Sequence, residues 1–131
     1  MIALSNSSAR TIIPQQSITF DDDIIRTGSS AEGHYRNASE VKLRIPGIYE
    51  VHFTGNIMTQ PECFAHLAIT ANGDAITGTD MIASPNIITN IHADMIVRNT
   101  ADDPKIIAIT NIGSGTVVVK DGSGLWIRRV A

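Results

Sequence analysis

The sequence predicts an all-β domain, a two-sheet antiparallel sandwich or a barrel, on three observations. Apolar residues recur at every second position, and helical periodicity is hard to find. The alternating runs are short and rich in β-branched residues. Gly, Pro, Asn and Asp interrupt them about every ten residues, as turn residues do in such folds.

In chain order, strands are expected at 10–13, 16–20, 23–27, 35–37, 40–44, 47–58, 64–71, 74–83, 87–99, 105–111, 116–120 and 124–130. Val41, Leu43 and Ile45 alternate with Lys42 and Arg44, and Pro46-Gly47 then breaks the run into a tight corner. Beyond it, Tyr49, Val51 and Phe53 alternate with Glu50, His52 and Thr54. Successive strand side chains point to opposite faces, so the first three are expected in the core and the second three outside it. Leu67 and Ile69 share a core-directed face with Cys63 and Ala65, which leaves Phe64, His66, Ala68 and Thr70 on the other. A Phe and a His on an outward face suggest a surface that something covers. Asn72-Gly73 should form a two-residue type I′ hairpin turn, which needs positive φ at both positions. Residues 111–115 read as a longer hairpin loop, residues 121–124 as a flexible connection into the last strand, and Pro104 as a strand terminator. No linker, repeat or low-complexity tract divides the chain, so residues 1–131 are expected to form a single domain.

A length of 131 residues is enough for an independent core. With 5% aromatic residues, that core must be aliphatic, with isoleucine dominant. A formal charge of −3 argues against nucleic-acid binding, which usually calls for a basic patch. Only 18% of residues are charged, which favours an oligomer over a fully solvated surface. The single cysteine, Cys63, permits no internal disulfide and reads as a small buried hydrophobe. The N-terminal residues lack the pattern of a secretory signal, and no apolar run approaches the roughly 20 residues of a membrane helix. Synthesis in the cytoplasm is therefore expected.

No enzyme is visible. Nucleophile-elbow, Ser-x-x-Lys and phosphate-loop patterns are missing. Glu50 and His52 could suggest an acid–base pair, but residues two apart on a strand lie roughly 6–7 Å apart and no nucleophile accompanies them. The four histidines, His34, His52, His66 and His92, show no metal-ligand spacing, so neither a metal nor a cofactor is expected. The acidic run 21–23 reads as a solvated strand edge or turn, and Asp102-Asp103 likewise. Asn6 and Asn37 each begin a glycosylation sequon, read as coincidental without a secretory signal.

The Pro46-Gly-Ile-Tyr49 corner leading into an alternating strand resembles a signature of the C1q and tumour-necrosis-factor-like jelly rolls. The segment Leu67-Ala-Ile-Thr-Ala-Asn-Gly73 is similar to the family's next strand and hairpin, and the chain ends on a strand, as those domains do. The opening ALSNSSARTIIPQQSITFD and the segment RNASEVKLRIPGIYEVHF resemble compact bacterial and bacteriophage members. The resemblance implies a ten-stranded jelly-roll sandwich that assembles as a homotrimer. It places Glu50, His52, Thr54, Phe64 and His66 in the trimer interface, and Tyr49, Val51, Phe53, Leu67 and Ile69 in the core. No collagen-like tract is present, and an aromatic-rich trimer centre is not reproduced. The expected role is structural: a phage or prophage virion-surface protein that decorates or cements a capsid, with a capsid or tail protein as partner. The other reading is a receptor- or glycan-binding head using the loops at 29–34, 72–73, 81–86 and 101–104, because jelly rolls carry binding on loops.

Overall fold

In a computed structural model of the chain, the backbone is described for residues 1–26, 34–36, 39–59, 64–85 and 87–131. The strands are β1 (Ile2–Ser5), β2 (Arg10–Ile12), β3 (Asp22–Arg26), β4 (His34–Arg36), β5 (Glu40–Lys42), β6 (Gly47–Thr59), β7 (Ala65–Ala71), β8 (Asp74–Ala75), β9 (Met81–Ala83), β10 (Thr89–Asn99), β11 (Ile106–Asn111), β12 (Val117–Val119) and β13 (Gly124–Arg129). There is no helix among the described residues. Cys63, Asn37 and most of the loop at 29–34 lie outside those residues.

These thirteen strands fill ten positions, five in each of two antiparallel sheets. In the first sheet, β6 pairs with β10 along one edge; its other edge pairs with β13 and then β12. β1 and β2 in turn lie against β13 and β12, and β3 closes the far side. Thus β12 and β13 are two halves of one strand position, as are β1 and β2. The second sheet runs β4, β5, β11, β7, with β8 and β9 sharing the last position.

Buried Asn6 holds the two interruptions together. Its Nδ2 donates to the Lys120 carbonyl at 3.0 Å, and its Oδ1 accepts the Ser123 amide at 2.8 Å. The Asn6 backbone adds an amide bond to the Ser123 carbonyl, and its own carbonyl accepts the Gly122 amide. A glycan on Asn6 is incompatible with this burial, so that sequon is structural.

Tyr49, Val51, Phe53, Leu67 and Ile69 are buried in the shared core. Phe20 and Phe53 meet edge to face at 6.4 Å, and isoleucines fill much of the rest. The Pro46-Gly47 corner carries the chain from the second sheet into the first. Three contacts tie it down: Tyr49 Oη donates to the Ile45 carbonyl at 2.6 Å, and Asn99 Nδ2 reaches the Leu43 and Ile45 carbonyls. A Cβ at Gly47 would stand 2.5 Å from Arg129 Nε and 2.6 Å from the Ala131 carbonyl. Gly47→Val is therefore expected to lower stability by about 1–3 kcal/mol, checked by urea denaturation.

Asn72 and Gly73 have φ of 53° and 87° and join β7 to β8 as the type I′ pattern requires. Other expectations need correction. Residues 111–115 do not form a hairpin, because β11 and β12 belong to different sheets. Asn111 is buried there, with Nδ2 donating to the Ile12 and Gly115 carbonyls, so it fastens a crossover. The expected strand at 16–20 reduces to an isolated bridge at Ser17. The run at 74–83 splits at a turn where Thr79 Oγ1 bonds to Ile69 and Ile76. Met81–Ala83 is a strand, not a loop, and His34 begins β4. Ala68 and Thr70 keep the phase of His66 but are buried rather than exposed; Thr70 Oγ1 bonds Thr110 Oγ1, which bonds Ser17 Oγ in turn.

Candidate functional site

The flanking of β6 by β10 on one side and β13 on the other decides which side chains meet on the outer face of the first sheet. The even-numbered residues of β6 point outward, and Glu50, His52 and Thr54 each have a partner in register on both neighbouring strands. Glu50 lies between Ile96 and Arg128, His52 between Asp94 and Trp126, and Thr54 between His92 and Gly124.

The row through His52 is the most highly organised. Its Nδ1 is hydrogen-bonded to Asp94 Oδ1, and its ring stacks on the Trp126 indole with centroids 4.1 Å apart. Its Nε2 is buried 3.8 Å from Glu50 Oε2 and has no hydrogen-bond partner among the described residues. Glu50 Oε2 instead accepts two bonds from Arg128, from Nη2 at 2.6 Å and Nε at 3.2 Å. The fold thus brings Glu50 and His52 much closer than backbone spacing alone would, and adds Asp94, Trp126 and Arg128 to them. This geometry does not suit acid–base chemistry: the free ring nitrogen faces Glu50 and is closed to a substrate. Among the described residues, no hydroxyl or thiol bonds to His52, and no group of three His, Cys, Asp or Glu could hold a metal ion.

Hydrogen bonding from Arg128 holds the Glu50 carboxyl below its ordinary value of 4.5, with the Arg128 charge helping. Asp21 is likewise held below 3.8, first by the Ser7 amide and then by the Ser7 hydroxyl. The run at 21–23 is accordingly more than a solvated turn, because Asp21 also pairs with Arg10 at 2.7 Å. Both folded-state values lie below the unfolded ones. Their stabilisation is therefore present above the ordinary carboxylate range and is lost as pH falls through the lower folded values. In an NMR titration, Glu50 is expected to titrate below 4.5 and to move back towards it in Arg128→Ala.

Apolar surface surrounds this polar network. Ile96 is 58% exposed and Trp126 38%. A shallow hollow of about 300 Å³ opens beside His52 against Met95 and Ile96, and one of about 430 Å³ lies between Trp126 and Met1. Thr54 is exposed on the same face.

Phe64 and His66 lie elsewhere, on the second sheet. Phe64 is 62% exposed just before β7, and His66 opposes Ile82, itself 61% exposed, with its Nε2 3.3 Å from Asp80 Oδ1. Ile87 and Ile88 are also exposed, at the approach to β10. Among the described residues, β10 pairs only with β6, so its other edge is open. The five expected interface residues therefore form two separate patches, three on one sheet and two on the other. Trp126 was legible in LWIRRV as the residue opposite in phase to Leu125 and Ile127; Asp94 and Ile82 carried no comparable signal.

No family model matches the sequence, and no curated protein matches it. Solved structures do match. The Eiger TNF of S. frugiperda superposes with a TM-score of 0.75 at 10% identity, covering 99% of this chain and 91% of that one. The fold is the TNF/C1q jelly roll. The globular domain of zebrafish complement 1qA protein gives 0.66 at 10% identity over 95% and 94% of the two chains. Murine APRIL gives 0.57 at 12% identity over 92% and 96%. In this jelly roll, the His52 row lies on the outer face of the sheet built around β6.

Proposed function

We propose that this jelly roll is a non-enzymatic structural protein that closes into a homotrimer through the outer face of its first sheet. The observation that carries the reading is the His52 row: an exposed tryptophan stacked on a histidine whose second nitrogen is buried and unpartnered. Exposed Trp126 and Ile96 around the paired Arg128–Glu50 and His52–Asp94 groups make a surface suited to being covered, because interface cores combine aromatic and apolar area with a few fixed polar contacts. The second patch, at Phe64, His66 and Ile82, supplies a different surface for the same contact. Two unlike patches on one chain join head to tail, and a threefold rotation closes such contacts without leaving either patch free.

The setting we propose is the surface of a phage or prophage particle, where a closed trimer would decorate or cement a capsid. This part follows from the resemblance of the opening segment and of residues 36–53 to phage-associated jelly rolls, and from fold analogy. Gene order tests it: a neighbouring major capsid gene supports decoration, and a neighbourhood of secretion or spore genes contradicts it. Sedimentation of the purified chain tests the assembly.

A further inference from the structure

Where β5 turns into β6, a cleft of about 500 Å³ opens between the Pro46-Gly47 corner and the loop joining β10 to β11. Lys42, Arg44 and Pro46 line it from one segment, and Thr100, Ala101 and Pro104 from the other. Its volume falls within the range of small-molecule sites. None of its lining residues belongs to the His52 row, so the cleft stands apart from the proposed association face.

The cleft is preformed. Buried Asn99 spans its floor, with Nδ2 donating to the Leu43 and Ile45 carbonyls and Oδ1 accepting the Lys105 amide at 2.7 Å. The Leu43 amide reaches the Lys105 carbonyl at 2.9 Å, which locks one wall to the other. Thr100 Oγ1 accepts the Asp103 amide, and its own proton remains available to a ligand.

Its charge is one-sided in a protein whose net charge is −3. Both charged lining residues are cations, and among the described residues neither Lys42 nor Arg44 has an ion-pair partner. Elsewhere, Arg10 is matched by Asp21 and Arg128 by Glu50. Of the two acids in the facing loop, Asp103 is engaged by Lys105 Nζ at 2.6 Å, and neither it nor Asp102 lines the cleft. Arg98, which has no ion-pair partner among the described residues, lines an adjoining hollow that shares Asn99 and Thr100 with the cleft. Unpaired cations on a rigid polar floor attract an anion, and a guanidinium fork matches the geometry of a carboxylate, sulfate or phosphate. The proline and alanine walls suit the carbon skeleton of a ligand about the size of a sugar. Among the described residues, the recognition loop at 101–104 is the one that contributes to this cleft.

We propose that the cleft binds an oxyanion-bearing ligand of sugar size, held by Arg44 and Lys42 with Thr100 as a hydroxyl donor. The test is an amide NMR titration of the full chain at constant ionic strength with glucuronate, glucose 6-sulfate, glucose 6-phosphate and glucose. Saturable shifts confined to residues 42–47 and 98–105 are expected with at least one anionic probe and not with glucose. The probe that binds tightest identifies the anion as carboxylate, sulfate or phosphate. Lys42→Ala/Arg44→Ala removes surface side chains alone and should weaken binding tenfold or more, with an unchanged melting temperature as the control for folding. The proposal is overturned by equal shifts with glucose, by no saturable shift with any probe, or by binding that the double variant leaves intact. Each of these outcomes is independent of whether the chain forms trimers.

Discussion

Replacing His52 with Asp is expected to raise the dissociation constant for self-association roughly a hundredfold or more near neutral pH. The substitution removes the ring that stacks on Trp126 and sets a third carboxylate between those of Asp94 and Glu50. Among the described residues, Arg128 is the cation that neutralises that group, and it is already engaged by Glu50. Three protomers would bring three such clusters into one assembly, where like charges in a covered interface cost several kcal/mol. His52→Phe serves as the partner experiment, since it keeps an aromatic ring against Trp126 without adding charge. Its assembly should be closer to that of the parent chain. Sedimentation equilibrium reads both, and a trimer unmoved by His52→Asp would remove this face from the interface.

The second large effect is internal. Asn6→Ala is expected to lower stability by about 2–4 kcal/mol in chemical denaturation. The side chain bonds Ser123 and Lys120 at the point where two adjacent strands break in step. Without it, the Ser123 amide loses its acceptor at a fully buried residue, and a buried donor without a partner carries its whole desolvation cost. Asn6→Asp retains an acceptor for that amide but sets a carboxylate against the Lys120 carbonyl, so it should fall below the parent as well. Association should weaken little in either variant beyond what lost stability causes, because Asn6 faces the inside of the sheet.

These two residues differ in how plainly the sequence announces them. Alternation around Tyr49, Val51 and Phe53 placed β6 and its two faces, because a period of two is a local signal. The Asn72-Gly73 turn was legible for the same reason: its φ requirements are written in two adjacent residues. By contrast, β1 went unseen, because four residues at the chain start offer too little pattern. The segments around Asn6 and Asp121 resemble turns between hairpin partners. Each is an interruption within one strand position, which only pairing across to β6 and β13 reveals. The hairpin expected at 111–115 failed likewise, since a Gly-Ser loop reads the same whether the chain folds back or crosses to the other sheet.

For the candidate face, the sequence offered Glu50 and His52 but not their partners. Arg128 is 78 residues from Glu50, and Asp94 is 42 from His52. No spacing rule links them; they meet because β10, β6 and β13 run in register. Phe64 and His66 share an outward phase with the β6 residues only within each strand, and the sandwich places them on opposite sheets. The meaning of the polar face depended on that geometry, above all on where His52 Nε2 points.

Sedimentation equilibrium of the purified chain, run over a range of concentrations at neutral pH, is the most direct measurement of self-association. A mass three times that of the 14.1 kDa chain is expected, stable on dilution into the low micromolar range. A single-chain mass at every concentration would contradict the trimer.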